Sequence, residues 1–297
     1  MCSAQELIII EGEYIYKGFN DKGQRSFPNL RYYVLDRGDQ LSIELSEQFH
    51  KLAAERGFQL DAESPEIVVS IGGDGTMLHA FHTFIDHIPD VAFVGIHTGH
   101  LGFYADWKAD ELADLVTFMA GESSTSDRHP KIVKYPLIEL DIQTKSGTTH
   151  HTVLNEFTLK GTDGTTVVVQ VDINDEIFEM FRGDGICVST PSGSTAYNKA
   201  LGGAMVHPTI EALQIAEIAS INNRIYRTLG SSLMLPKHHH CDIHSRKPQK
   251  LQLTMDHLNM SFDDLISIRC QVSKHQVSFA RYRPYPFWNR VRQSFLG

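Results

Sequence analysis

Residues 66–81 read Glu66-Ile67-Val68-Val69-Ser70-Ile71-Gly72-Gly73-Asp74-Gly75-Thr76-Met77-Leu78-His79-Ala80-Phe81. The β-branched run at its start reads as a buried strand, and Met77 onward reads as the start of a helix. A strand that ends in clustered glycines and opens into a helix is a place to hold phosphate. Glycine lets the backbone come close to a ligand, and the free N–H groups of a helix start favour an anion. Asp74 is the unusual member. A carboxylate repels phosphate unless a metal ion or a proton transfer gives it a purpose. The stretch therefore points to phosphoryl transfer. The plainer alternative is a tight strand–helix turn with Asp74 as its N-cap.

On either side the chain alternates strand and helix. Residues 31–35 read as the first regular strand. Residues 40–56 have a helical period, with Leu41, Leu45, Phe49, Leu52 and Ala53 on one face and Gly57 at the C-terminal cap. Residues 91–96 form another buried strand, which ends in the loop His97-Thr98-Gly99-His100-Leu101-Gly102-Phe103; residues 109–119 are a third helix. Such alternation implies a parallel sheet with helices on its faces, and ligands bind beyond the C-terminal strand ends. Both glycine loops fall there. Residues 1–28 precede this order, with two short strands at 7–10 and 14–16 followed by loops.

The polar stretch Gly121-Glu122-Ser123-Ser124-Thr125-Ser126-Asp127 reads as a linker. Beyond it the period becomes two. Residues 132–144, 150–160, 165–173 and 176–182 look like antiparallel strands, with hairpin turns at Lys145-Ser146-Gly147 and Asn174-Asp175. Gly183-Asp184-Gly185 ends that series, the small-residue loop at 189–199 follows, and short strands return from about 231 to 282. The aromatic and basic segment 283–290 is expected to pack back on another domain.

The chain has 297 residues and a formal net charge of −9. The acidic balance argues against nucleic acid or an anionic membrane as partner. No apolar run approaches the roughly 20 residues that span a bilayer, and no export signal opens the chain. The four cysteines (Cys2, Cys187, Cys241, Cys270) are far apart, as free thiols in a reducing cytoplasm would be.

Besides residues 72–76, two other places suit a nucleotide. Asn155-Glu156 sits beside a strand, and an amide next to a carboxylate is apt for the vicinal hydroxyls of a ribose; an exposed turn pair is the alternative. Arg182-Gly183-Asp184-Gly185 and the 192–199 loop form the other. Tyr197 there offers a ring for stacking on a base, and Thr195 and Ala196 offer backbone groups; a packed tyrosine is the alternative. His238-His239-His240-Cys241 resembles a metal cluster, but successive residues on a strand alternate in direction, so an exposed loop is expected instead. His79 and His82 read as partly buried structure. The chain has no Gly-x-x-x-x-Gly-Lys-Ser/Thr loop, no protein-kinase motif set and no Gly-x-Gly-x-x-Gly at its first helix.

Together Gly72-Gly73-Asp74-Gly75-Thr76, Asn155-Glu156 and Thr190-Pro191-Ser192-Gly193-Ser194-Thr195-Ala196-Tyr197 resemble the bacterial NAD kinases. Thr98-Gly99-His100-Leu101-Gly102-Phe103 and Arg283-Pro284-Tyr285-Pro286-Phe287-Trp288 extend the resemblance, which runs from about Arg31 onward. The glycine motif alone is shared with lipid kinases. The resemblance implies transfer of the terminal phosphate of ATP to the 2′-hydroxyl of the adenosine ribose of NAD, giving NADP. It implies an α/β fold: an N-terminal α/β domain with a mostly parallel sheet, a C-terminal β-rich, sandwich-like domain, and an active site in the cleft between them. In this sequence the expected divisions are an extension at 1–28, the α/β domain at 29–128, the NAD-binding domain at 129–275 and a segment at 276–297 that packs back on the α/β domain.

Carried over by motif, Asp74 is the proton acceptor and Gly75 lines the phosphate region. Asn155 and Glu156 hold the dinucleotide, and Arg182 and Asp184 match a binding segment. Thr195, Ala196, Tyr197, Asn198, Lys199 and Ala200 line the adenosine pocket, Ala219 matches a backbone contact, and Phe103 walls the pocket. The chemistry of phosphoryl transfer leads us to expect a divalent cation, Mg²⁺ or Mn²⁺, on the ATP oxygens with few protein ligands; the resemblance further implies ATP and NAD as partners and a homo-oligomer, dimer or tetramer. Two departures stand out: the extension at 1–28, and Asp256-His257 where many relatives have Asp-Gly. A non-catalytic NAD- or NADP-sensing module and a lipid kinase with the same glycine loop are the competing readings.

Overall fold

A computed structural model describes residues 29–88, 90–122, 130–224 and 226–297, together with the backbone of Ile8–Ile10 and Glu13–Ile15, which pair as a short antiparallel hairpin. Residues 16–28, most of the expected linker and Cys2 lie outside the described residues. The chain forms two compact units, residues 1–134 with 278–297 and residues 135–277.

In the first unit, strands β1 (Arg31–Asp36), β2 (Ile67–Gly72) and β3 (Ala92–His97) pair in parallel in the order β1-β2-β3. Gln59–Leu60 extends the β1 edge, and Ser278-Phe279 adds beside β3, also in parallel. Every residue of β2 is buried, as expected of a strand covered on both faces. Helices α1 (Gln40–Glu55), α2 (Asp74–Thr83) and α3 (Leu112–Met119) pack on the strands, and α1 and α3 pack on each other. Tyr32, Phe49, Ile71, Ile96, Trp107 and Leu115 are among the core side chains.

Helix α1 starts at the cap Asp39, whose carboxylate accepts from the Ser42 N–H at 3.3 Å and the Ser42 hydroxyl at 2.9 Å. It ends with Gly57 at φ +74, a conformation glycine adopts without a Cβ penalty. Its buried face differs by one residue from expectation. Leu45, Phe49 and Ala53 are buried, but Leu41 is 43% exposed and the inward positions in the first turns are Ser42 and Ser46. The stripe runs 42, 45, 46, 49, 53, and Leu41 sits just off it; the hydrogen bonds of Ser42 to Asp39 let a polar residue take that place. Where one helix was expected over 109–119, a 3₁₀ turn at Ala109–Glu111 precedes α3.

The second unit is built from β-strands: β4 (Lys131–Thr144), β5 (Gly147–Val153), β6 (Glu156–Gly161), β7 (Val167–Ile173), β8 (Glu176–Gly183), β9 (Gly185–Ser189), β10 (Ala212–Ile218), β11 (Leu233–Pro236), β12 (His240–Ser245), β13 (Leu251–Met255), β14 (Leu258–Phe262) and β15 (Leu265–Arg281). One sheet has the order β11-β10-β9-β6-β13-β14, and another contains β8-β7-β12-β15. All these pairings are antiparallel. Their apolar faces, including Ile138, Phe157, Val169, Phe181, Ile243 and Leu253, form one core. Asn174 and Asp175 take positive φ of 52° and 66°, the signature of a two-residue hairpin turn.

Three expectations in this unit are corrected. Strands β9 and β10 stand where no strand was expected before about 231; both are buried almost throughout, so neither shows a period of two. The strand foreseen over 150–160 is broken at Leu154-Asn155: β5 pairs with β4, and β6 turns to pair with β9 and β13. The histidine run is not wholly an exposed loop. His238 is exposed, but His240 and Cys241 open β12, and Cys241 is fully buried opposite Cys270. The alternation of β12 requires this, since its odd positions face the core. Cys187, Cys241 and Cys270 are free thiols. Among the described residues no helix is long and apolar enough to cross a membrane.

The cap of α1 is half-buried and local, so its loss should be measurable without a change of fold. Asp39→Ala should lower the urea midpoint of unfolding with an unchanged m-value. Stability equal to wild type would show that the cap contributes nothing.

Candidate functional site

The first group of candidate residues is built where β2 and β3 end side by side. Gly72 pairs with His97, and the Thr98 N–H donates to the Gly72 carbonyl at 3.3 Å. The register thereby sets the glycine loop against the loop that follows β3. Gly73 is the N-cap of α2, Asp74 is its first residue, and no side chain caps this helix. The N-cap alternative for Asp74 is thus excluded. Its carboxylate points instead to the neighbouring loop, where Oδ1 accepts from the N–H groups of Phe103 and Tyr104 at 3.0 and 3.1 Å and Oδ2 accepts from Phe103 at 2.8 Å. Gly102 lies so close beneath that any Cβ there would overlap the Asp74 carboxyl group. This explains the glycine in Leu101-Gly102-Phe103. Gly75 is different: a Cβ built on it meets no protein atom within 4 Å. The protein itself has room for a side chain at 75.

The second group forms at the break between β5 and β6. The carboxylate of Asp256 accepts the N–H of Leu154 at 2.9 Å and of Asn155 at 2.7 Å. Asp256 occupies the two-residue turn between β13 and β14 with φ +52, and its own N–H donates to the Glu156 carbonyl. From the other side, the Thr190 and Ser192 hydroxyls donate to the Leu154 carbonyl at 2.6 and 3.1 Å, and the Thr190 N–H donates to the Asn155 carbonyl. Gly193 packs on the Asn155 backbone so tightly that no Cβ would fit. The pair is therefore a clamped break in a strand, not the exposed turn offered as its alternative; Asn155 is buried. The sequence marked Asp256-His257 only as a departure from the resemblance and gave Asp256 no role. The signal was present, an acidic residue in a tight hairpin turn, but its partners lie about a hundred positions away.

Glu156 is the electrostatic anomaly of this group. Its pKa is raised from 4.5 to about 8, first by burial, then by the Asp256 carboxylate, with the Tyr197 N–H opposing. Its Oε2 is buried without a hydrogen-bond partner. A buried acidic oxygen left unpaired is costly, and such groups cluster at functional sites.

The small-residue stretch is a 3₁₀ turn at Ser192–Thr195 followed by one helical turn at Tyr197–Ala200. Thr195 is buried, Ala196 and Tyr197 are half-buried, and Lys199 and Ala200 are exposed. Asn198 is fully buried, and Gly203 packs against its side chain. The Tyr197 hydroxyl accepts from Lys160 Nζ at 3.1 Å, and that ammonium lies 4.5 Å from the ring centroid.

Arg182, Asp184 and Ala219 gather elsewhere. The Asp184 N–H donates to the Ile218 carbonyl and the Ile221 N–H to the Arg182 carbonyl. The Arg182 guanidinium stacks over Tyr226 at 4.4 Å. Ala219 holds φ +46, which costs a residue with a Cβ about 1 kcal/mol or more. In the β6–β9 pair, Glu156 faces Ser189 while Lys160 faces Gly185. The Arg182 group and the Asn155 group thus lie at opposite ends of one strand pair, roughly 13 Å apart at the usual strand rise.

Among the described residues one group, Asp175, His240 and Asp242, has ligand atoms close enough to share a metal ion. Arg269 already neutralises it, at 2.7 Å from both Asp175 and Asp242. It does not fit a divalent cation. Asp74 belongs to no such group among the described residues.

The fold and the two acidic loops define a class, a nucleotide-dependent phosphotransferase with an α/β unit and a β-rich unit. Residues 42–122 match the family model of the ATP-NAD kinase N-terminal domain, and residues 154–278 match that of the C-terminal domain. Over 270 residues the chain is 48% identical to NAD kinase 1 of Halalkalibacterium halodurans and 49% identical to NAD kinase 1 of Bacillus subtilis. Each alignment covers 90% of this chain and 99% of the relative. A yeast NADH kinase solved with NADH has a TM-score of 0.77 at 16% identity, covering 99% of this chain and 93% of its own. An Archaeoglobus fulgidus NAD kinase solved with ATP has a TM-score of 0.65 at 18% identity, covering 89% and 97%. The chain belongs to the ATP-NAD kinase family. It is an enzyme, a phosphotransferase.

The raised pKa of Glu156 makes a signed prediction. Between pH 4.5 and 8 the folded state holds a proton that the unfolded state releases. Stability from this group is full below pH 4.5 and falls as pH rises through about 8. Glu156→Gln has no proton to lose, so denaturant unfolding at pH 5 and at pH 8.5 should show the variant gaining on wild type by on the order of a few kcal/mol. An equal difference at both pH values would show that Glu156 ionises normally.

Proposed function

We propose that the protein transfers the terminal phosphate of ATP to the 2′-hydroxyl of the adenosine ribose of NAD, giving NADP, with Asp74 as proton acceptor. The observation that carries this reading is the carboxylate of Asp74 at a glycine-lined helix start, turned away from its own helix and gripped by two N–H groups of the next loop. A cap would bond its own helix, and a passive phosphate site has no use for a negative charge. Family membership supports the donor and the acceptor.

Phosphoryl transfer needs alignment, charge neutralisation and a place for the nucleophile's proton. Asp74 Oδ2 accepts one N–H in the structure and retains lone-pair capacity for the ribose hydroxyl proton. The open space over Gly75 lets phosphate approach the backbone. Asn155 and Glu156 hold the dinucleotide; a protonated Glu156 carboxyl can donate to a hydroxyl oxygen and an ionised one can accept from it. Thr195, Ala196, Tyr197, Asn198, Lys199 and Ala200 border the adenosine, with Asn198 acting through the local fold. Arg182, Asp184 and Ala219, at the other end of the β6–β9 pair, contact a different part of the ligand. Phe103 walls the pocket. A divalent cation, Mg²⁺ or Mn²⁺, would enter with ATP and would supply positive charge for the transferring phosphate. A cytoplasmic homo-oligomer, dimer or tetramer, fits the same reading.

The direct test is to incubate the pure protein with ATP, Mg²⁺ and NAD and to assay NADP; none formed would overturn the reading. Asp74→Asn keeps the side chain's size and removes its charge. Turnover should fall roughly 10²–10⁴-fold, the usual worth of a general base, with little change in NAD binding. A rate within threefold of wild type would remove the proton-acceptor role. Gly75→Val should abolish turnover while the melting temperature stays near wild type, because the added Cβ meets no protein atom and the branched side chain stands where the phosphate approaches. Full activity in that variant would remove the phosphate-loop assignment.

A further inference from the structure

The two N–H groups that grip Asp74 belong to the peptide planes joining Gly102 to Phe103 and Phe103 to Tyr104. The opposite edge of each plane is held as well. The Gly102 carbonyl accepts from Arg290 Nη1 at 2.8 Å, and the Phe103 carbonyl accepts from the Tyr285 hydroxyl. A peptide unit is planar, so its carbonyl and N–H turn together. A side chain that fixes one edge therefore aims the other. Hydrogen bonds in series through such a unit also polarise one another.

We propose that Tyr285 and Arg290 are positioning residues for the phosphotransfer: through these two peptide planes they aim the carboxylate of Asp74. The inference rests on the reading of Asp74 as proton acceptor. The surrounding contacts show why these two side chains hold still. Arg290 also donates to the Ala105 carbonyl and pairs with Asp106 at 3.1 Å. Arg281, nearly inaccessible, pairs with Asp106 at 2.6 Å and donates to the Tyr104 carbonyl at 3.0 Å. The guanidinium groups of Arg281 and Arg290 lie 4.1 and 4.5 Å from the Tyr285 ring centroid. The Phe103 ring packs on Phe287 and stacks on Phe295 at 5.7 Å, so the helix Phe287–Phe295 that carries Arg290 is seated on the same loop. A buried cluster concerned with stability alone would not need its donors distributed over successive loop carbonyls whose N–H partners converge on one carboxylate.

Tyr285→Phe removes one hydroxyl and keeps the ring; Arg290→Gln removes the guanidinium. Each should lower kcat 5- to 50-fold with KM for NAD and for ATP within threefold and, for Tyr285→Phe, a melting temperature within two or three degrees of wild type. Amide hydrogen exchange at Phe103 and Tyr104 should accelerate in both variants. In an Asp74→Asn background Tyr285→Phe should change the residual rate less than twofold, since residues acting through one group are not additive. Wild-type kcat in Tyr285→Phe, a full additive loss in the double variant, or unchanged exchange at both amides would each overturn the inference. Near-wild-type turnover of Asp74→Asn, with accelerated exchange in Tyr285→Phe, would instead overturn the proton-acceptor reading on which it rests.

Discussion

A carboxylate held by backbone N–H groups sets the geometry of the first unit. Asp74 opens α2 without capping it and reaches across to the loop after β3, where Phe103 and Tyr104 turn their N–H groups inward. The parallel register of β2 with β3 brings the two loops together, the glycine at 102 removes the atom that would collide, and the carbonyl edges of the loop are gripped by Arg281, Tyr285 and Arg290. Charge-assisted bonds of this kind are about twice as strong as neutral ones and are directional. They confine the carboxylate to a narrow range of orientations, which is what a group receiving a proton in an aligned transfer requires.

The second unit uses the same device for a different end. Asp256 accepts two successive N–H groups, but those groups belong to Leu154 and Asn155, so what it orders is the break in the strand. The break lets Glu156 begin a strand in the other sheet, half-buried, with its Oε2 out of solvent and the Asp256 carboxylate close enough to act on it. The electrostatic cost of that proximity appears as the raised pKa of Glu156. One acidic side chain builds the loop, and the next is held in a state that keeps its proton.

Several features were legible from neighbours in sequence. The strand–glycine–helix order at 66–81, the boundaries of α1 between Asp39 and Gly57, and the Asn174-Asp175 turn each depend on residues a few positions apart. The motif set also identified the family, because three separated loops of specific composition are unlikely to coincide by chance. The outward turn of Leu41 was not legible, since a helical period places it within one residue of the stripe and the hydrogen bonds of Ser42 decide the matter.

By itself the sequence determined the two fold classes, the strand and helix order of the first unit and the chemical character of the loops, since all of these follow from local period, turn chemistry and residue type. Only the tertiary structure decided where the carboxylates point and what state they hold. Asp74 finds its donors 29 positions away and Asp256 finds Asn155 at a separation of 101. No local pattern encodes such pairings. They arise when sheet register sets distant loops side by side, and burial then changes what a carboxylate can do: the side chain of Glu156 is ordinary in the sequence and a proton-holding acid in the fold.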